Sequence, residues 1–147
     1  MGTRSLTYVF DTYKQDNGTE KHVPLVCLYR QYDGYLEGHG LELAEFLTPF
    51  RMVNGLGAET KAKVANGMGC LAAQMVAHFK DGPGQFYIHA PELDQDCGQE
   101  YEYHVFRDTV KVIGYGKVVF EGTWDELLQK GKTLEQEYLA RAAADKV

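Results

Sequence analysis

The segment LTYVFDTYKQDNGTEKHVPLVCLYR, residues 6–30, sets the architecture of the chain. Leu6, Tyr8 and Phe10 alternate with Thr7 and Val9, the period of a strand with two distinct faces. Asn17-Gly18 supplies two residues that tolerate positive φ, as a type I′ turn requires. The run VPLVCLYR beyond the turn is apolar on both faces, as a covered, central strand should be. These residues predict a β-hairpin, and a sheet becomes the element on which the rest must pack.

Working outward, LELAEFLTPF places Leu43, Phe46, Leu47 and Phe50 on one helical stripe that Pro49 helps to end. CLAAQMVAHFK gives Leu71, Ala72, Met75, Val76 and Phe79 a broad apolar face, and DGPG stops that helix. Between them the pairs Asn54-Gly55 and Asn66-Gly67 bracket a stretch, Ala58–Ala65, for which helix is one option. The second half returns to strands in QFYIHA and QEYEYHVF, followed by a hairpin, TVKVIGYGKVVFEG, around Gly114-Tyr115-Gly116. Thr123 fits an N-cap, with Asp125 and Glu126 in the first turn and Trp124 as a packing anchor. Gly131 is expected to break that helix, and a polar helix resumes over about residues 133–147 with a fraying end. Helices and strands segregate along the chain. The expected fold is therefore α+β: one domain over residues 1–147, with a mostly antiparallel sheet of five to six strands and helices on one face.

Composition narrows the function. The 147 residues are 44% hydrophobic and 24% charged, the balance of a soluble globular domain. A net charge of −6 argues against a partner as long as a nucleic-acid strand, which needs a basic face to displace counterions. Cys27, Cys70 and Cys97 are scattered, without a C-x-x-C pair, and suggest neither a zinc site nor a disulfide framework. Cys70, at a helix start, is better explained as a core residue than as a reactive thiol. No run approaches the roughly 20 apolar residues of a membrane span, and MGTRSLTYVF lacks a signal-peptide pattern. A cytoplasmic protein is expected, with no cofactor called for and no membrane partner.

The chemistry concentrates in YRQYDGYLEGHG, residues 29–40. Its glycines free the backbone to approach a ligand, and a helix start at about Leu41 would offer amide groups to an anion. Arg30 could clamp a phosphate or carboxylate. Tyr32 and Tyr35 could stack on a flat ring. Asp33, Glu37 and His39 could read hydroxyls or base edges. A second glycine-framed helix start, NGMGCLAAQ, adds Asn66, Gly67 and Gly69, and Gln99 could complete the polar contacts. The plain alternative is that the glycines shape a tight connection, the tyrosines pack and the charges are solvated. In the strand QEYEYHVF, Glu100, Glu102 and His104 share a face, where a solvated surface is better supported than a metal site.

With YRQYDGYLEGHG and NGMGCLAAQMVAHFK laid out, the chain resembles a family of small uncharacterised proteins from phages, other large DNA viruses and some bacteria. The resemblance runs from the first strand to GQEYEYHVF and brings no activity with it. Its viral setting implies, by analogy of size rather than motif, a counter-defence protein that sequesters a host nucleotide signal. The expected function is capture, without turnover, of a small anionic or nucleotide-like ligand between the Arg30–Gly40 loop and the Asn66–Gly69 helix start. On that expectation, Arg30→Ala and Tyr32→Ala each abolish binding with an unchanged melting temperature. The alternatives are a metal-assisted hydrolase or phosphodiesterase using Glu37, His39 and the Glu100/Glu102/His104 face, and an interaction or assembly subunit. A homo-oligomer is compatible with the first reading.

Overall fold

The computed structural model describes residues 2–57 and 63–145. In chain order the elements are β1 (Ser5–Lys14), β2 (Glu20–Arg30), a π-helical turn (Leu36–Gly40), α1 (Leu41–Leu47), β3 (Arg51–Val53), β4 (Val64–Asn66) and α2 (Gly67–Phe79). They continue as β5 (Phe86–His89), β6 (Tyr101–Val105), β7 (Thr109–Gly114), β8 (Lys117–Thr123) and α3 (Trp124–Ala144). Six strands form one sheet in the order β5-β2-β1-β6-β7-β8, antiparallel throughout except for the central β1–β6 pair. The fold is α+β with a mostly antiparallel sheet, as the sequence predicts. Two features were not anticipated, the parallel β1–β6 pairing and the small parallel β3–β4 pair. Residues 58–62 of the stretch read as an optional helix lie outside the described residues, and Val64–Asn66 at its end is a strand.

Strand alternation decides which side each residue serves. Val9, Leu28, Tyr103, Val105, Val110 and Val112 face the helices and bury with Leu43, Leu47, Leu71, Met75 and Leu127. Leu6, Tyr8, Phe10 and Cys27 face the other way and form a second, smaller core. The β5–β6 connection folds over that side: the Tyr8 hydroxyl donates to the Glu92 carbonyl (2.7 Å) and accepts from Gln95 (3.2 Å). All three helices thus share one face of the sheet, and a loop closes the other.

Two local expectations need correction. In the β1–β2 turn only Gly18 takes a positive φ, 85°. The Gln15 amide donates to Thr19 and the Gly18 amide to Gln15, so the connection is a three-residue loop closed by glycine rather than a type I′ turn. Asn17 instead accepts from the Thr19 amide (3.0 Å). Nor does Gly131 break the last helix, which runs unbroken for 21 residues from a Thr123–Glu126 capping box. A Cβ on Gly131 would lie 3.0 Å from the Leu41 Cβ and 3.1 Å from its Cα. The glycine lets α3 lie directly against α1. Its packing gain offsets the roughly 1 kcal/mol that glycine costs in a helix. No helix among the described residues is long and apolar enough to cross a membrane.

Candidate functional site

Arg30 ends β2 on the helix-facing side and is only 4% exposed. Its Nη1 contacts the Glu42 carboxylate and donates to His39 Nδ1 (3.2 Å), its Nη2 lies 3.9 Å from Asp33, and its guanidinium sits over the Phe86 ring. A guanidinium can only donate, so His39 Nδ1 accepts and its proton sits on Nε2, which donates to the Thr7 hydroxyl (2.7 Å). Burial first, and then the neighbouring Arg30 charge, push the His39 imidazole down to about 3. His39 is therefore a neutral, fully buried scaffold residue with both nitrogens engaged, and cannot act as a base on an outside substrate.

The backbone around this cluster is also committed. The Gly38 and Gly40 amides donate to Tyr35, the His39 amide to Asp33, and the Leu41 amide to carbonyls of the π-helical turn. The helix begins a turn earlier than the sequence suggests, so the free amides expected at Leu41 are already bonded. Asn66, Gly67 and Gly69 do not meet this loop. They start α2, whose far end presents Phe79 to the His39 ring (5.2 Å). A helix of 13 residues separates its ends by about 18 Å, so the expected pocket between the two glycine-framed segments does not form. Asn66 accepts from the Gly55 amide (2.8 Å) and does not cap α2. Gln99 lies across the sheet, bonded to Cys97, Gln95 and Glu102. Tyr32 is exposed beside Gly2, apart from the clefts described next.

Two clefts flank the loop. One, of about 390 Å³, has Arg30 in its wall with Glu42, Glu45, His78 and Gln85. The larger, about 580 Å³, is lined by Thr3, Tyr35, Glu37, Tyr101, Tyr115, Glu135, Tyr138 and Leu139. Here the loop contributes Tyr35 and Glu37, the segment before β1 Thr3, the start of β6 Tyr101, the β7–β8 turn Tyr115, and α3 Glu135, Tyr138 and Leu139. Glu135, Tyr138 and Leu139 fall at i, i+3 and i+4, so one face of α3 lines the cleft beyond Leu134, which still packs on the core. Tyr101 meets Tyr115 edge-on at 5.6 Å and stacks on Tyr103 at 6.5 Å. Burial, then Asp33 and Glu37, push the Tyr35 phenol up; burial, then Tyr115 and Glu37, do the same for Tyr101. Of the sequence candidates, only Tyr35 and Glu37 line this cleft. Tyr101, Tyr115, Glu135 and Tyr138 were missed, and the available signals were the ten tyrosines of the chain and the helical spacing of residues 135–139.

The opposite face of the sheet carries the remaining polar cluster. Glu102 and His104 pair at 3.2 Å, whereas Glu100 is bound by the Arg4 amide (2.6 Å) and guanidinium (3.2 Å). No three acidic, histidine or cysteine side chains are grouped to hold a metal ion among the described residues. Cys97 lies 3.4 Å from His89 Nδ1, but burial and then Asp96 and Glu102 raise its thiol, the reverse of an activated nucleophile. No protein-family model, curated protein or solved structure matches this chain.

Proposed function

We propose that the protein binds a small molecule without turning it over, and that the ligand presents a flat, nucleotide-like ring to the tyrosine cleft. The observation that carries this reading is the convergence of Tyr35, Tyr101, Tyr115 and Tyr138, from four separate segments, on one cleft of about 580 Å³. Stacking on an aromatic side chain stabilises a bound base by about 1–3 kcal/mol and tolerates many rings. Glu37 and Glu135 are placed to accept hydrogen bonds from exocyclic amino groups. A protein that held a nucleotide signal in this way would act as a sink for it, the counter-defence role that the viral resemblance implies.

A second reading keeps the anionic ligand at Arg30. It is favoured by one observation: Arg30 Nε is buried without a partner, in the wall of the 390 Å³ cleft. Its Glu42 partner is half exposed, so an incoming phosphate could replace that carboxylate. Catalysis is less well supported, because His39 is sealed in.

The test is to incubate the purified protein with a pool of nucleosides and mono-, di- and cyclic nucleotides, remove what stays free, and identify what denaturation releases by mass spectrometry. Wild type should return an intact ring-bearing ligand that Tyr115→Ala/Tyr138→Ala no longer retains. Retention by the double variant would rule out this cleft, and a chemically altered product would make the protein an enzyme.

A further inference from the structure

We propose that the tyrosine cleft selects a positively charged ring: an N-alkylated heteroaromatic cation, such as an N-methylated purine or a pyridinium, held between tyrosine faces with Glu37 and Glu135 as counter-charges. This inference rests on the ligand-binding reading above and adds the charge of the ligand to it.

The geometry points to charge as well as to shape. Of the residues lining the cleft, four are tyrosines and two are glutamates, and none is basic. The face of a phenol ring carries negative electrostatic potential, so tyrosines stack on a cationic ring more strongly than on its neutral parent. Glu37 comes from the π-helical turn and Glu135 from α3, and neither forms an ion pair or a side-chain hydrogen bond among the described residues. Both carboxylates thus remain available to a ligand, unlike Glu42, Glu100 and Glu102, which are each engaged within the protein. The Glu37 charge already acts on its surroundings, helping to raise the phenols of Tyr35 and Tyr101. A phosphate placed here would meet two carboxylates and no cation. A cationic ring would meet four aromatic groups and two opposite charges, and its alkylated nitrogen needs no hydrogen-bond acceptor.

The chemistry separates from simple ring stacking by comparing each cation with its neutral parent, since the two share size and shape. The probes are 1-methylnicotinamide against nicotinamide, and 7-methylguanosine against guanosine, titrated by NMR or calorimetry. Wild type should bind each cation about 10-fold tighter than its parent, and added salt should narrow the gap. Glu37→Gln/Glu135→Gln should shrink the gap to less than about 3-fold, because it removes the counter-charges and keeps the tyrosines. Both positions are at least partly exposed, so the variant should fold; its circular dichroism and melting curve check this. Equal affinity for cation and parent, or a gap that survives the double substitution, overturns the inference while leaving a ring-binding cleft in place. Failure of all four probes, with a ligand still retained from the nucleotide pool, also overturns the inference alone. Failure of all four together with an empty pool experiment brings down the binding reading as well.

Discussion

The buried Arg30–His39 cluster and the open tyrosine cleft both draw on the Leu36–Gly40 turn, yet they use polar residues in opposite ways. In the cluster, Arg30 is answered by Glu42, Asp33 and His39, and His39 by Thr7. In the cleft, Glu37 and Glu135 have no partner among the described residues, and Tyr115 is 71% exposed. Buried polar groups that partner one another stiffen what surrounds them; carboxylates open to solvent beside exposed aromatics are free to meet a ligand. The difference separates buried scaffold from open cleft around a single loop, and it places His39, first suggested as a ligand contact, in the scaffold.

The largest expected effect lies in the scaffold. Arg30→Ala should cost about 3 kcal/mol, since it leaves the buried His39 Nδ1 without its donor and opens a gap beside Phe86. Denaturant titration checks this, and a variant as stable as wild type would break the contrast between the two regions. The structure here opposes the expectation, drawn from sequence, of an unchanged melting temperature. Next comes pH. The folded-state pKa of His39 lies near 3, below the ordinary 6.5, so the unfolded chain binds the extra proton as pH falls. The histidine's contribution is complete above about 6.5 and declines toward 3, by about 1.4 kcal/mol per unit. Between pH 6.5 and about 5, wild type should therefore lose about 2 kcal/mol more than His39→Gln. Equal slopes for the two proteins would contradict the buried, neutral imidazole.

Gly131→Ala should lower stability by about 1 kcal/mol, the crowding of Leu41 outweighing the helix-propensity gain. A stabilised variant would mean that α3 can shift away from α1, and the cleft wall with it. The smallest stability effect belongs to the site: Tyr115→Ala should change unfolding free energy by no more than about 0.5 kcal/mol. The same substitution should weaken ligand binding at least about 10-fold.

Features governed by near neighbours were legible in the sequence. The β1–β2 hairpin, the Tyr115-Gly116 turn, the stripe of α2 and the Thr123 cap depend on residues within a few positions of one another, and the α+β class follows from them. The rest depends on contacts between distant segments. Gly131 reads as a breaker until Leu41 is seen against it. Arg30 reads as an open ligand clamp until Glu42 and Phe86 are seen against it. Tyr101, Tyr115 and Tyr138 are ordinary tyrosines in three different elements, and nothing local says that they meet. The parallel β1–β6 pairing is of the same kind, since it sets Ser5 beside Tyr101 and Val9 beside Val105, from opposite halves of the chain.

The most direct measurement is NMR of the tyrosine rings, selectively labelled, as the retained ligand or a binding probe is added. The ten tyrosines of the chain report separately on cleft, core and surface. Shifts concentrated at Tyr35, Tyr101, Tyr115 and Tyr138, with Tyr8 and Tyr29 on the other sheet face unmoved, are what the account predicts. Shifts confined to tyrosines outside the cleft, while ligand binds at full occupancy, would contradict it.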